Sequence, residues 1–401
     1  MPLDTGDTSF MLVATALVMI MTPGLAFFYG GLVSRKNVLA IMMQSYVSMG
    51  VSTILWVAVG YSLCFSGDVG GIIGNLDMAF LRGIEITDLG GLNDTIPLLL
   101  FVAYQMMFAI ITPALITGAF ANRITFKAYL IFLVAWQILV YYPFVHMIWG
   151  GGMLADWGVL DFAGGIVVHA LAGMAALASV IYVGKRGVED AGPHNVPFVA
   201  IGAALLWFGW FGFNAGSELA VDEVTAVAFI NTQIAAAFAA ITWLLLAWHY
   251  DGKPSFVEML IGMIAGLATI TPAAGFVSPQ SAMLIGVAAG AVCYFAVVFR
   301  KKKGLDDALD VWGVHGVGGA LGIIMLGVLA SESIGGQNGL YHGNQDFFMV
   351  QLAGLALACV WAFAFTYGML MMIDKVTPVR VSEEAEAALD VTLHGESAYT
   401  D

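Results

Sequence analysis

The chain has 401 residues, 60% of them hydrophobic and only 10% charged, with a mean hydropathy of +0.89. One soluble core cannot hide so much apolar surface, which excludes an ordinary water-soluble domain and leaves a membrane protein. The 14 Lys and Arg against 28 Asp and Glu give a net charge of −14, and no nucleic-acid partner is expected of such a surface.

Apolar runs of about 20 residues lie between polar breaks, which suits a hydrocarbon slab roughly 30 Å thick at a rise of about 1.5 Å per helical residue. Eleven spans are predicted, near 8–33, 40–65, 97–121, 127–149, 162–183, 197–216, 226–249, 257–277, 280–299, 311–331 and 347–373. A short tail, 374–401, follows. The first span contains Pro23 and Gly24 and follows Asp4 and Asp7 with no basic residue. A cleavable leader would carry positive charge there, so a retained helix is expected.

With the N-terminus outside, the loops after odd-numbered spans and the tail hold 13 of the 14 Lys and Arg, and only Arg82 is left outside. The positive-inside rule therefore favours an N-out, C-in orientation and an odd number of spans. The same topology places 14 acids on each side. The outside is then strongly negative, a field that attracts cations within about 8 Å at physiological salt or simply keeps the loops solvated.

The segments "DFAGGIVVHALAGMAAL" (161–177) and "DVWGVHGVGGALGIIML" (310–326) echo one another in spans five and ten. An offset of five spans makes them antiparallel, which predicts an inverted repeat of two five-helix units plus an eleventh helix. Of seven histidines, His169 and His315 fall well inside spans, where an ionisable group is costly and faces a cavity or a partner. Span boundaries place His169 nearer the outside and His315 nearer the inside, so spacing alone does not join them. Two histidines without a third ligand make an incomplete metal site, and no metal is expected. Asp161 and Asp310 open their spans and read as helix caps. Cys64, Cys293 and Cys359 read as packing residues.

Aromatics gather near the outer ends of spans, with Trp149 in "HMIWGGG" and Trp207, Trp210, Phe211 and Phe213 in "LLWFGWFGFNAGSE". Tryptophan belts at membrane interfaces explain most such residues. An aromatic face beside a hydroxyl such as Ser217 could also hold a small cation.

Taken together, "TPGLAFFYGGLV" (22–33), "YQMMFAIITPALITGAFANR" (104–123), "HMIWGGG" with "DFAGGIVVH" (146–169), "GWFGFNAGS" (209–217), "ITPAAGFV" (270–277), "DVWGVHGVGG" (310–319) and "LDVTLHGESAY" (389–399) resemble the ammonium transporter family, the Amt, Mep and Rhesus proteins, and the Amt type most. The resemblance implies a homotrimer in the plasma or inner membrane, each subunit with its own pore, and neither enzymatic activity nor a cofactor. It implies that Trp149, Ser217 and Phe108 form an outer ammonium site near a structurally required Asp161. Phe108 and Phe213 would form the gate, and His169, His315 and Trp210 would line the pore below it. Ammonium or methylammonium would be the substrate, and a trimeric PII-type signal protein would bind at the cytoplasmic pore mouths. The expected mechanism is recognition of NH4⁺ outside, deprotonation at the gate and passage of NH3 along the histidines, with or without a relayed proton. The rival is a sensor that binds ammonium through the same site and conducts little.

Overall fold

The computed structural model describes residues 3–91, 94–188 and 192–399. Eleven apolar helical elements run through it: α1 Thr5–Leu32, α2 Val38–Phe65, α3 Leu98–Ile116, α4 Phe126–Asp156, α5 Gly165–Val183, α6 Val196–Glu218, α7 Glu223–Asp251, α8 Phe256–Ile270, α9 Pro279–Lys302, α10 Trp312–Leu329 and α11 Gln345–Asp374. Ten are long and apolar enough to cross a membrane. Side chains stop them cleanly at their starts: Asp4, Thr125, Asn195, Asp222, Ser255, Ser278 and Asn344 each accept a hydrogen bond from a free N–H of the first turn.

The exception is α8, which is 15 residues long and covers only about 22 Å. A continuous span over 257–277 was expected, but regular helix ends at Ile270 and Pro272 follows, a residue that brings no N–H to the ladder. The chain from Thr271 to Gly275 continues as buried turns enclosed by the other helices, the one setting in which irregular backbone is tolerated at membrane depth.

The connections sort onto two faces. On one, which we call the N face, the Asp4 N–H donates to the Thr95 carbonyl (2.8 Å), and the Asp7 carboxylate accepts from the Thr95 hydroxyl (2.6 Å) and the Val221 N–H (2.8 Å). Leu89–Gly90 and Ile96–Pro97 pair there as a short antiparallel ribbon. On the opposite C face lies the tail. Its Val379 carbonyl accepts from the Thr125 N–H (2.9 Å), its Leu389 N–H donates to Asn37 (2.8 Å), and its Asp390 carboxylate accepts from the Leu39 (3.1 Å) and Ala40 (2.8 Å) N–H groups at the start of α2.

The two echoing segments are structurally alike. Each opens with a wide π-helical stretch, Gly165–Ala170 in α5 and Trp312–Gly316 in α10, and each stretch carries its histidine. The helices enter from opposite faces and cross where both are glycine: a Cβ on Gly173 would lie 2.0 Å from the Gly316 Cα. No other residue type fits at Gly173.

Asp161 caps α5 as expected, but Asp310 does not cap α10. Asp310 sits at a φ of 58° and its carboxylate pairs with Arg300 of α9. The cap comes instead from Asp307, which accepts from the Trp312 N–H at 2.8 Å. Both residues precede the helix by a few positions, and sequence offset does not decide which carboxylate reaches the free N–H groups.

Candidate functional site

On the N face a cavity of about 520 Å³ opens into the bundle, with Gln105, Phe108, Trp149, Asp161, Ser217 and Glu218 among its lining residues. Four loops and helix ends converge on it. Trp149 ends the regular part of α4, and its indole N–H donates to the Asp161 carbonyl at 2.8 Å, which fixes the ring while leaving its face free.

Asp161 lines the cavity, but its carboxylate is fully engaged. It accepts from the N–H groups of Gly164 (3.0 Å), Gly165 (2.6 Å), Ile166 (2.8 Å) and Val167 (3.1 Å), two to each oxygen. Gly164, at a φ of 118°, supplies the turn that folds these N–H groups back over the carboxylate. The side chain thus holds together the start of the helix that bears His169.

Ser217 lies beyond the last regular turn of α6. Its hydroxyl donates to the Phe213 carbonyl at 2.9 Å and sits 3.3 Å from the Tyr104 hydroxyl, which itself donates to the Gly212 carbonyl at 2.8 Å. The Ser217 oxygen keeps acceptor capacity toward the cavity.

Below the cavity the predicted residues form one column. The Trp149 and Phe108 rings meet edge to face with centroids 6.1 Å apart, and Phe108 lies 4.4 Å from Phe213 at an angle of 39°. Phe213 stacks on His169 at 6.0 Å, and His169 stacks on His315 at 5.2 Å. Trp210 flanks His169 at 5.5 Å, held by an indole hydrogen bond to Thr271 at 3.0 Å. Phe108 and Phe213 are each 1% exposed, so the column is closed to bulk water in this conformation.

The two histidines face each other through Nδ1 atoms 3.2 Å apart. That contact was not derivable from spacing. It arises because each histidine lies on the first turns of its helix, and the two helices start from opposite faces and meet in the middle. Only one proton fits between two Nδ1 atoms, so one ring donates it and the other accepts. The Nε2 of His169 is buried without a hydrogen-bond partner among the described residues. Both rings, with Phe213 and Trp210, line a narrow apolar cavity of about 20 Å³, room for roughly one water-sized molecule.

Trp207 and Phe211 stay out of this column, and Phe211 stacks on Phe229 of α7 at 4.3 Å. Sequence reasoning did not single out Tyr104, Gln105, Glu218 or Thr271. The polar "YQ" inside an apolar run and the Glu directly after Ser217 were the available signals. No group of three or more His, Cys, Asp and Glu residues suited to a metal ion occurs among the described residues.

Comparison with known proteins finds relatives along nearly the whole chain. A model described as the Ammonium Transporter Family matches residues 9–399. The ammonium transporter of Bacillus subtilis (strain 168) is 46% identical over 404 residues, which cover 100% of both chains. The crystal structure of Candida albicans Mep2 superposes with a TM-score of 0.89 at 35% identity, over 95% of this chain and 87% of that one. A solved structure named Sensor Amt Protein superposes with a TM-score of 0.90 at 29% identity, over 97% and 98%. The chain belongs to the ammonium transporter family.

Proposed function

We propose that the protein carries ammonium across the cell membrane, with the N face outside and the C face in the cytoplasm. NH4⁺ is held in the N-face cavity by the Trp149 ring face, with Phe108 beside it and the Ser217 hydroxyl accepting one of its N–H groups. An aromatic face replaces part of the hydration that the cation gives up. K⁺ gains the same attraction but can neither donate hydrogen bonds nor shed a proton.

The observation that carries this reading is the unbroken column from Trp149 through Phe108 and Phe213 to the paired histidines. An ion entering so narrow and apolar a passage would lose its hydration at a cost of many kcal/mol, whereas neutral NH3 would not. NH4⁺ therefore gives up its proton at the phenylalanine pair. NH3 then passes along His169 and His315, whose outer nitrogens offer it hydrogen bonds, and is protonated again at the C face. The proton shared between the two Nδ1 atoms gives the pair the means to relay the released proton, which makes transport electrogenic.

The remaining elements of the reading rest on the family resemblance alone. The subunits form a homotrimer with one pore each, methylammonium is a second substrate, and a PII-type protein closes the pores from the C face. A PII protein that failed to bind under every nucleotide condition would remove that last element.

Electrophysiology on proteoliposomes with ammonium, methylammonium and K⁺ tests the central claim. A saturable ammonium current without K⁺ current is expected. The likeness to the Sensor Amt Protein structure favours one alternative, a protein that binds ammonium through the same cavity and conducts little. A silent membrane together with tight ammonium binding would establish that alternative.

A further inference from the structure

A cation resting in the N-face cavity needs a countercharge and hydrogen-bond acceptors, and the described side chains differ sharply in what they have left to give. Among the described residues two acids line the cavity, Asp161 and Glu218. Asp161 spends both oxygens on four backbone N–H groups. The nearby acids of the N-face loops are committed too. Asp68 accepts from Gly71 and meets His146 at 3.0 Å, Asp222 accepts from the Thr225 N–H at 3.0 Å, and Asp7 holds Thr95 and Val221.

Glu218 is different. It follows Ser217 directly at the end of the turn Gly216–Glu218, is partly buried, and its carboxylate makes no hydrogen bond or ion pair with a described residue. Gln105 stands on α3 one turn before Phe108, lines the same cavity, and is 8% exposed with its Oε1 lacking a hydrogen-bond partner among the described residues. A half-turn of the amide exchanges oxygen and nitrogen, so either end can be offered to the cavity. A buried carboxamide left unsatisfied is costly unless something in the site completes it.

We propose that Glu218 supplies the countercharge for a small N–H-donating cation in the N-face cavity, with Gln105 as a second acceptor, and that these two residues set the affinity of the site. The inference rests on reading that cavity as the ammonium site. Trp149 and Ser217 hold the cation from one side with a ring face and a neutral hydroxyl, and Glu218 supplies the formal charge that they lack.

The test uses the full-length protein in proteoliposomes, with ammonium chloride as the probe, and measures half-saturation and maximal current for the wild type, Glu218→Gln, Glu218→Asp and Gln105→Leu. Direct ammonium binding to the detergent-purified proteins is measured by calorimetry in parallel. Glu218→Gln keeps the shape and loses the charge. Its half-saturation and its dissociation constant are expected to rise about tenfold, with the larger effect on half-saturation rather than on maximal current, as loss of a charged hydrogen bond implies. Glu218→Asp is expected to recover most of that loss, and Gln105→Leu to weaken ammonium binding several-fold. Half-saturation and binding of Glu218→Gln within twofold of wild type overturn the proposal, as does a weakening that Glu218→Asp fails to reverse. A wild type that binds but does not conduct moves the comparison to the binding arm, where the same tenfold shift supports the proposal although transport has failed. A wild type that neither binds nor conducts overturns both readings.

Discussion

The paired Nδ1 atoms of His169 and His315, 3.2 Å apart, make each ring dependent on the other for its tautomer. Replacing either by Ala removes the shared proton and widens the narrow cavity that both rings line. His169→Ala and His315→Ala are each expected to lower ammonium-selective current at least about tenfold or to admit K⁺, read by currents in matched ammonium and K⁺ gradients. Unchanged uptake and selectivity in both variants would sink the relay. Asp161 makes a contrasting case, because its carboxylate touches only backbone. Asp161→Ala strands four N–H donors, each costing about 1–3 kcal/mol when buried and unpaired, so a large drop in thermal stability in detergent is expected. An Asp161→Ala protein as stable as wild type would show the carboxylate to be dispensable to the fold. At this scale much was legible. Trp149, Phe108, Phe213 and the histidines stood out through chemistry out of place in an apolar chain or through family resemblance. Gln105 and Glu218 did not, since a polar residue near the end of an apolar run reads equally well as a span boundary.

Elements explain what residue chemistry could not. Nine spans agree closely with their hydropathic lengths, because a run of apolar residues must match the hydrocarbon slab wherever it lies. The helices of the third and eighth stop short of the expected ends, because the residues after Ile116 and Ile270 stay apolar for a different reason, packing inside the protein as buried turns. The meeting of α5 and α10 was hidden likewise, since two spans that start from opposite faces disclose their crossing depth only through packing. Gly173 and Gly316 set that depth. Gly173→Val would place carbon inside the space of the Gly316 backbone, and it is expected to lower thermal stability and to cut transport more than His-pair chemistry alone would require. Wild-type stability and transport in Gly173→Val would show the helices to be free to separate. The lead-in to α10 carries its own prediction. Burial, and then the neighbouring charge of Asp310, push the Asp307 carboxyl up from its ordinary 3.8 to about 6. An acid that holds its proton more tightly folded than unfolded makes the fold less stable as pH rises through that window. The full cost, about 3 kcal/mol, is in place above pH 6 and absent below about pH 4. Asp307→Asn keeps an acceptor for the Trp312 N–H and removes the charge. It should raise the unfolding temperature at pH 7.5 but not at pH 4, and equal gains at both would refute the assignment.

The molecule as a whole is organised by charge on its two faces. The alternation that places 13 of 14 basic residues together also brings the loops 34–37, 117–125 and 184–188 under the tail, which the chain ties in through Asn37, Arg380, Glu386 and Asp390. That clustering could be read from loop composition, because like-signed ends of spans must share a face. The grip of the tail on its own subunit could not, since seven acids and two bases are the composition of solvated chain and the contact is disclosed only by the Asp390 carboxylate capping helix α2. On the opposite face, 14 acids stand against Arg82 alone. Several of them are engaged in turns and caps, but their charge still acts on a cation approaching through water. Such a field concentrates cations at the cavity mouth and is screened over about 10 Å at 0.1 M salt and about 3 Å at 1 M. Raising the ionic strength with an impermeant, non-competing salt should therefore increase the half-saturating ammonium concentration several-fold while changing the maximal current little, because the column below Phe108 is buried from the electrolyte. The same titration on Glu218→Gln separates the two contributions. A contact inside the cavity persists in high salt, whereas the long-range field does not. Wild type and variant should then converge only in part as salt rises. Complete convergence would assign Glu218 to the general field of the face rather than to the bound cation.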